Sequence, residues 1–297
     1  MTTFAFKTPP QHGTWHDFLD VWRAADEIEV FESGWTMDHF YPLTGPMDGD
    51  IHESWTMLAA LAQATKRLRL GSMVNGMHFR HPAVTANMAV TLDHISGGRF
   101  SLGLGAGWFA GEAEAYGIPL GTRKERSDRF EEGVEVIVRL ITQDSTSFTG
   151  DYFQLVDARC NPKPVQAPLP IVIGGTGPKR TLKVVARWAD MWDTFPESLE
   201  GWQATRSILD EHCAAIDRDP ATIRSSIHLG WPADADPVAL AAQAAPYVGM
   251  VDLVIFSMRG PYRADLLEPL ANELRFHGHG GAGDAEHLAA VNVARKF

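Results

Sequence analysis

Short apolar runs alternate with stretches of helical periodicity along nearly the whole chain, and this restricts its fold more than any single motif. Residues 4–7, 33–37, 68–74, 99–104, 171–173, 191–194, 223–229 and 251–256 each read as a strand. Between them, apolar side chains recur at helical spacing, as in Phe18, Val21, Trp22, Ala25 and Ile28. Strands alternating with helices in this way build a parallel sheet. About eight such units are what a closed (β/α)8 barrel requires. No repeat of fixed length accompanies them.

Local signals place the helices. Thr14 with Asp17 three residues on is a cap-like pair, and Pro82 suits the first turn of a helix over 82–95. Further helices are expected over 54–64, 125–140, 198–217, 236–248 and 264–274, and one carries Leu182, Val185, Ala186 and Ala189. Phe130, Val134, Ile137 and Ile141 share one face, with Asp128, Glu131, Glu132 and Glu135 largely on the other. Leu209, Cys213 and Ile216 read as core. Residues 142–169 form an insertion rather than a domain: a hairpin over 146–156 around Gly150-Asp151, then a Pro-rich return. One barrel domain is expected over 1–276, followed by a flexible Gly-rich joint at His277–Gly281 and a short helical tail to Phe297, with His277 and His279 solvated.

The 45% of hydrophobic residues can fill a large core. With 26 Lys+Arg against 37 Asp+Glu, a net charge of -11 excludes a broad field for nucleic acid or anionic lipid. Cys160 and Cys213 form no CxxC, so a disulfide framework and a four-cysteine zinc site are both excluded. No apolar signal core opens the chain, and the greasiest stretch, 239–256, is broken by Gln243, Pro246, Gly249 and Asp252. A cytoplasmic protein without membrane contact is expected.

In a parallel barrel the chemistry sits just past the strand ends. Asp38-His39 follows the second strand; such a pair is as often structural as functional. Asn75 follows the third, as a turn residue or a ligand amide. The run Gly103-Leu104-Gly105-Ala106-Gly107-Trp108 follows the fourth and lets backbone approach a flat ligand or another element. It is not GxGxxG, and no acidic residue stands at the dinucleotide distance, so a Rossmann reading fails. After the fifth, Gly174-Gly175-Thr176-Gly177-Pro178-Lys179-Arg180 opens a helix; its N–H groups and Lys179, with Lys183 and Arg187 beyond, can cradle a phosphate. It lacks the Walker A ending. His228 and Trp231 follow the seventh strand, as substrate-pocket or packing residues. His12 and His16 are four apart, but Pro10 and Gly13 argue against one helix through both, and no metal site is expected.

On Met37-Asp38-His39-Phe40, Glu53-Ser54-Trp55, Leu92-Asp93-His94-Ile95-Ser96-Gly97-Gly98-Arg99, Gly103–Trp108 and Gly174–Gly177, the sequence resembles the bacterial luciferase-like superfamily. More narrowly it resembles the coenzyme F420-dependent oxidoreductases of actinobacterial type, over about the first two-thirds of the chain. The resemblance implies a (β/α)8 barrel with a deazaflavin across the strand ends. Met73, Val74, Asn75, Gly105, Ala106, Gly107 and Asp38 would contact the cofactor, with a non-proline cis bond at Met73-Val74, and Gly174, Gly175, Thr176, Gly177 and Lys179 would hold its phosphate. His39 would be the proton-handling residue, and His12, Trp108, His228 and Trp231 would line the substrate pocket. A homodimer is the usual family arrangement.

One departure matters. Sugar-phosphate dehydrogenases of this family carry a Glu where Trp108 stands, so an apolar or aromatic substrate is expected instead. The alternative cofactor is FMN, in a reduced-FMN-dependent monooxygenase of the alkanesulfonate type with the 145–169 insertion as its lid. A non-catalytic flavin-binding barrel is the minor alternative.

Overall fold

The computed structural model describes residues 1–278, with side chains through Arg275. Eight parallel strand positions close into a ring: β1 (Thr3–Lys7), β2 (Phe31–Thr36), β3 (Arg69–Ser72), β5 (Phe100–Gly105), β8 (Ile171–Gly174), β9 (Met191–Thr194), β10 (Arg224–Trp231) and β11 (Leu253–Met258). β4 (Asn75–Gly76) continues the third position after a break. β11 pairs with β1, and β3 with β5, so no edge is left open.

The outer helices are α1 (Trp15–Asp26), α2 (Ser54–Ala64), α3 (Pro82–Ser96), α5 (Arg123–Thr142), α6 (Thr181–Trp188), α7 (Leu199–Ala214), α8 (Pro237–Ala244) and α9 (Leu267–Gly278). Their starts follow the sequence. Thr14 and Asp17 form a reciprocal capping box on α1, Thr122 and Glu125 another on α5, and Pro82 occupies the first turn of α3. The main core lies between ring and helices, with Trp22, Phe31, Leu58 and Phe100 almost wholly buried. A smaller cluster of Ala5, Trp35, Val172 and Ile255 fills the barrel interior.

Several boundaries differ from expectation. The third strand stops at Ser72, where the Met73-Val74 peptide is cis. A short helix, α4 (Ala110–Ala115), carries no sequence signal of its own. α7 ends at Ala214, which leaves Ile216 exposed rather than in the core. Pro246 lies in a 3-10 turn that closes α8 early. α9 continues through His277-Gly278, so the expected joint begins as helix; residues 279–297, including His279 and the expected tail, lie outside the described residues.

The hairpin of β6 (Thr146–Thr149) and β7 (Gln154–Ala158) forms as read. It packs against the outside of α5, where the Glu132 carboxylate accepts hydrogen bonds from the amides of Asp151, Tyr152 and Phe153. The Pro-rich return is tied to the strand starts by Gln166, which bonds Asp93 and the Phe100 carbonyl. None of it lines the strand-end cavity, so the expectation of a lid at 145–169 is corrected.

Candidate active site

A cavity of about 490 Å3 opens at the carboxyl ends of the strands, within the range of roughly 300–1,000 Å3 for small-molecule sites. A larger groove of about 880 Å3 runs over α2 and α3 on the outer surface, remote from most of the strand-end groups. The strand-end cavity is the candidate site because barrel chemistry is assembled there.

His39 stands on its wall, one turn beyond β2, with its ring edge toward Trp108. Nδ1 of His39 lies 2.9 Å from a carboxylate oxygen of Glu112, a fully buried residue on α4. The other oxygen accepts from the amides of Phe40 and Tyr41. Burial alone would raise the Glu112 carboxyl, but the His39 bond and the two amides outweigh it and hold it below the ordinary glutamate value. An ionised carboxylate only accepts, so Nδ1 carries a proton and the Glu112 bond orients the ring with Nε2 as its other nitrogen.

The Asp38 carboxylate is occupied by both terminal nitrogens of Arg80, at 2.6 and 3.1 Å, and Arg80 also reaches Glu53. Burial raises the Asp38 carboxyl despite that pairing. Asp38 therefore lines the cavity as part of an ion-paired wall, the structural member of the Asp-His pair.

The glycine run serves packing as well as ligand approach. A Cβ at Gly105 would lie 2.6 Å from Val74 Cγ2, and one at Gly174 would lie 3.1 Å from Val74 Cγ1. These glycines make the seat of Val74, which with Met73 lines the cavity. Gly107, at φ 85°, leaves room for His78: a Cβ there would lie 2.3 Å from Nδ1. Burial pushes the His78 imidazole down to about 4, so the ring is neutral.

Deeper in the barrel, Lys7 at the end of β1 donates from Nζ to the Met73 carbonyl at 2.9 Å. Burial lowers its amine to about 8, opposed by Asp193. Asp193 accepts from Ser226 Oγ at 2.7 Å. Nε2 of His228 lies 2.9 Å from Asp193 without the alignment of a hydrogen bond. Phe195 stacks on the His228 ring at 4.1 Å.

At the other rim, Gly174, Gly175 and Thr176 line the cavity, with Gly175 at φ 119°. No side chain caps α6, and its first turn holds no acid, so this loop suits a phosphate. Its basic stretch is partly neutralised: Arg180 pairs with Asp128 and Glu131, and Arg187 lies 3.6 Å from Glu135.

Of the residues singled out in the sequence, Asp38, His39, Met73, Val74, Gly105, Ala106, Gly107, Trp108, Gly174, Gly175 and Thr176 meet around this cavity. Gly177 and exposed Lys179 stand outside it on the phosphate-loop side. Asn75 is buried and outside the cavity lining; its Nδ2 donates to the Gly103 carbonyl, and its Oδ1 has no partner among the described residues. His12 is turned away, with Nε2 2.7 Å from the Thr44 carbonyl and Gly45 and Gly49 packed on its ring. Trp231 is core, edge-on to Phe256, and His228 lies behind Phe195 and Asp193 rather than on the cavity surface.

The sequence reading missed Lys7, His78, Glu112, Asp193 and Phe195. For Lys7 a signal existed: a lysine ending an apolar strand at the chemical end of a barrel. Glu112 had none, since nothing local links it to a histidine 73 positions earlier.

Comparison with known proteins agrees with the fold. The luciferase-like monooxygenase family profile matches residues 1–294. An F420-dependent glucose-6-phosphate dehydrogenase of Amycolatopsis mediterranei is 36% identical over 176 residues, 58% of this chain and 50% of that one. An FMNH2-dependent dimethylsulfone monooxygenase of Pseudomonas putida is 34% identical over 154 residues, 52% of this chain and 42% of that one. This chain thus spans about half the length of these curated relatives. Among solved structures, an F420-dependent secondary alcohol dehydrogenase in complex with an F420-acetone adduct superposes with a TM-score of 0.72 at 24% identity, covering 91% of this chain and 81% of that one. With the profile running over nearly all of a closed eight-stranded barrel, this chain belongs to the luciferase-like monooxygenase family.

Proposed function

We propose that this protein is an oxidoreductase that uses coenzyme F420 to move a hydride to or from a small apolar or aromatic organic substrate. The observation that carries the reading is His39, held through Nδ1 by Glu112 on the cavity wall with Trp108 beside it. A bound deazaflavin supplies a carbon that accepts or releases hydride. Val74, Gly105 and Ala106 would support its ring, and Gly174 to Gly177 with the uncapped end of α6 would hold its phosphate. Lys179 and Lys183, both exposed, suit an acidic tail. His39 would take or return the substrate's proton, and Trp108 would offer an apolar face.

The second reading is a reduced-FMN-dependent monooxygenase, favoured by the relative named for that cofactor and by a loop that serves either phosphate. Titration of the ligand-stripped protein with F420 and with FMN, each oxidised and reduced, separates the two. Micromolar F420 binding with much weaker FMN binding is expected; preference for reduced FMN replaces the first reading with the second. If His39→Ala changes nothing measurable, the barrel is a non-catalytic binder.

A cytoplasmic homodimer completes the reading. Among the described residues no helix is long and apolar enough to cross a membrane, and Cys160 and Cys213 are free and buried. Val84 and Ile95 are exposed on α3 beside α2, a face suited to a second copy. Sedimentation velocity at micromolar concentration checks this, a monomer there refuting it.

A further inference from the structure

We propose that Lys7 makes the floor of the cavity a subsite for an oxygen of the substrate, the carboxylate or carbonyl of a small aromatic compound. This rests on the reading of the cavity as an oxidoreductase's site. Lys7 and His39 line the same cavity at different depths. Lys7 is in register with Trp35 on β2, four residues before His39, so Lys7 lies below it.

Lys7 is 95% buried, and one of the three N–H groups of its ammonium reaches the Met73 carbonyl at 2.9 Å. Among the described residues no carboxylate oxygen lies within 4 Å of it. A buried cation with donors to spare gains most from an oxygen acceptor, and a charged one above all. Its neighbours restrict that acceptor. Trp35 on β2 and Ser257 on β11 are its register partners, and neither carries charge. The titratable groups acting on it are Asp193 on β9 and His228 on β10; Asp38, beyond β2 on the same cavity, is held by Arg80. Oδ1 of Asp193 is taken by Ser226, and burial keeps His228 neutral. Lys7 is therefore the cation left to meet a ligand at the floor.

The mouth above fits a flat ring. Phe195 lies 5.4 Å from the ammonium and is 63% exposed, and Trp108 is 61% exposed on the same cavity. An aromatic body between these side chains would point its oxygen down to Lys7.

The test titrates the full chain, without cofactor, with benzoate, benzaldehyde and toluene at about pH 6.5 and about pH 9.5, on either side of the lysine's titration near 8. Calorimetry should show benzoate binding at least ~10-fold tighter than toluene at the lower pH, with most of that advantage lost at the higher. Benzaldehyde should fall between them. Lys7→Met should weaken benzoate ~10-fold or more while leaving toluene unchanged, and Lys7→Arg should retain part of the benzoate preference. Equal affinity for benzoate and toluene, or unchanged benzoate binding by Lys7→Met, overturns the proposal. If Lys7→Met fails to fold, the pH dependence of the native protein decides. F420 is titrated into the same variants: a tenfold loss of F420 with benzoate unaffected would assign the oxygen to the cofactor ring and overturn the substrate subsite. Failure of the native protein to bind F420 would strike the functional reading alone, because the benzoate measurements need no cofactor.

Discussion

Glu112 and His39 stand 73 positions apart in the chain and 2.9 Å apart in the fold. The same carboxylate also receives the amides of Phe40 and Tyr41, so the loop after β2 and the ring it carries are fixed by one acid from α4. If His39 handles the substrate's proton, His39→Ala should lower kcat by ~10²–10⁴-fold. Glu112→Gln should lower it by a smaller factor, about 10–100, because Nδ1 loses its charged partner while both amides keep an oxygen. Cofactor affinity should change little in either variant. Steady-state kinetics with a binding titration checks this, and a Glu112→Gln enzyme of native kcat refutes it.

Arg80 is what keeps Asp38 tolerable inside the wall of the site. Arg80→Met leaves a buried carboxylate with no counter-charge and should cost about 3 kcal/mol of unfolding free energy. The double variant Asp38→Asn/Arg80→Met should lose clearly less than the single one, since no charge is then stranded. Urea unfolding of the three proteins decides; a double variant worse than Arg80→Met contradicts the argument.

His78 should make the fold acid-sensitive. Its ring titrates near 4 in the folded protein against an ordinary 6.5, so between those values the unfolded chain binds the extra proton. Stability contributed by the neutral ring is complete above about 6.5 and declines as pH falls toward 4, by about 2 kcal/mol after allowing for its partial exposure. The pH slope of stability should flatten in His78→Asn, whatever that change does to stability at neutral pH. Thermal unfolding from pH 7 downward measures it.

Gly107→Ala should disturb the site twice over. Alanine at φ 85° is strained by about 1 kcal/mol, and its Cβ would drive into His78. The expected outcome is a loss of F420 affinity of at least ~10-fold with a modest drop in Tm. Native affinity in this variant would mean that His78 and its loop can move aside without cost.

The barrel was legible because the strands of the ring and its outer helices announce themselves locally: Thr14 with Asp17 and Pro82 mark helix starts, and the apolar runs mark the ring. Residues that follow strands in glycine or Asp-His patterns were legible too, and most of them meet at the cavity. What local pattern could not supply was partnership at long range. Asp38 reads as half of a pair that is as often structural as functional until Arg80 is seen holding it. Asn75 reads as a turn residue or a ligand amide, and nothing local shows that its nitrogen is spent on Gly103. The basic run at Lys179–Arg187 looked free because its acids, Asp128, Glu131 and Glu135, lie on another helix. His12 failed for the opposite reason: it follows the first strand as an active residue would, but its loop folds it against Thr44.

Closure of the ring by β1 against β11 has a bearing on how such a protein could change over time. Lys7, His39, Glu112 and Asp193 hang from four different strand–loop units of a hoop that stands without regard to which side chains it displays. One loop can therefore be exchanged and the others keep their places, so a lineage could alter what it grips at the floor while retaining how it handles protons at the wall.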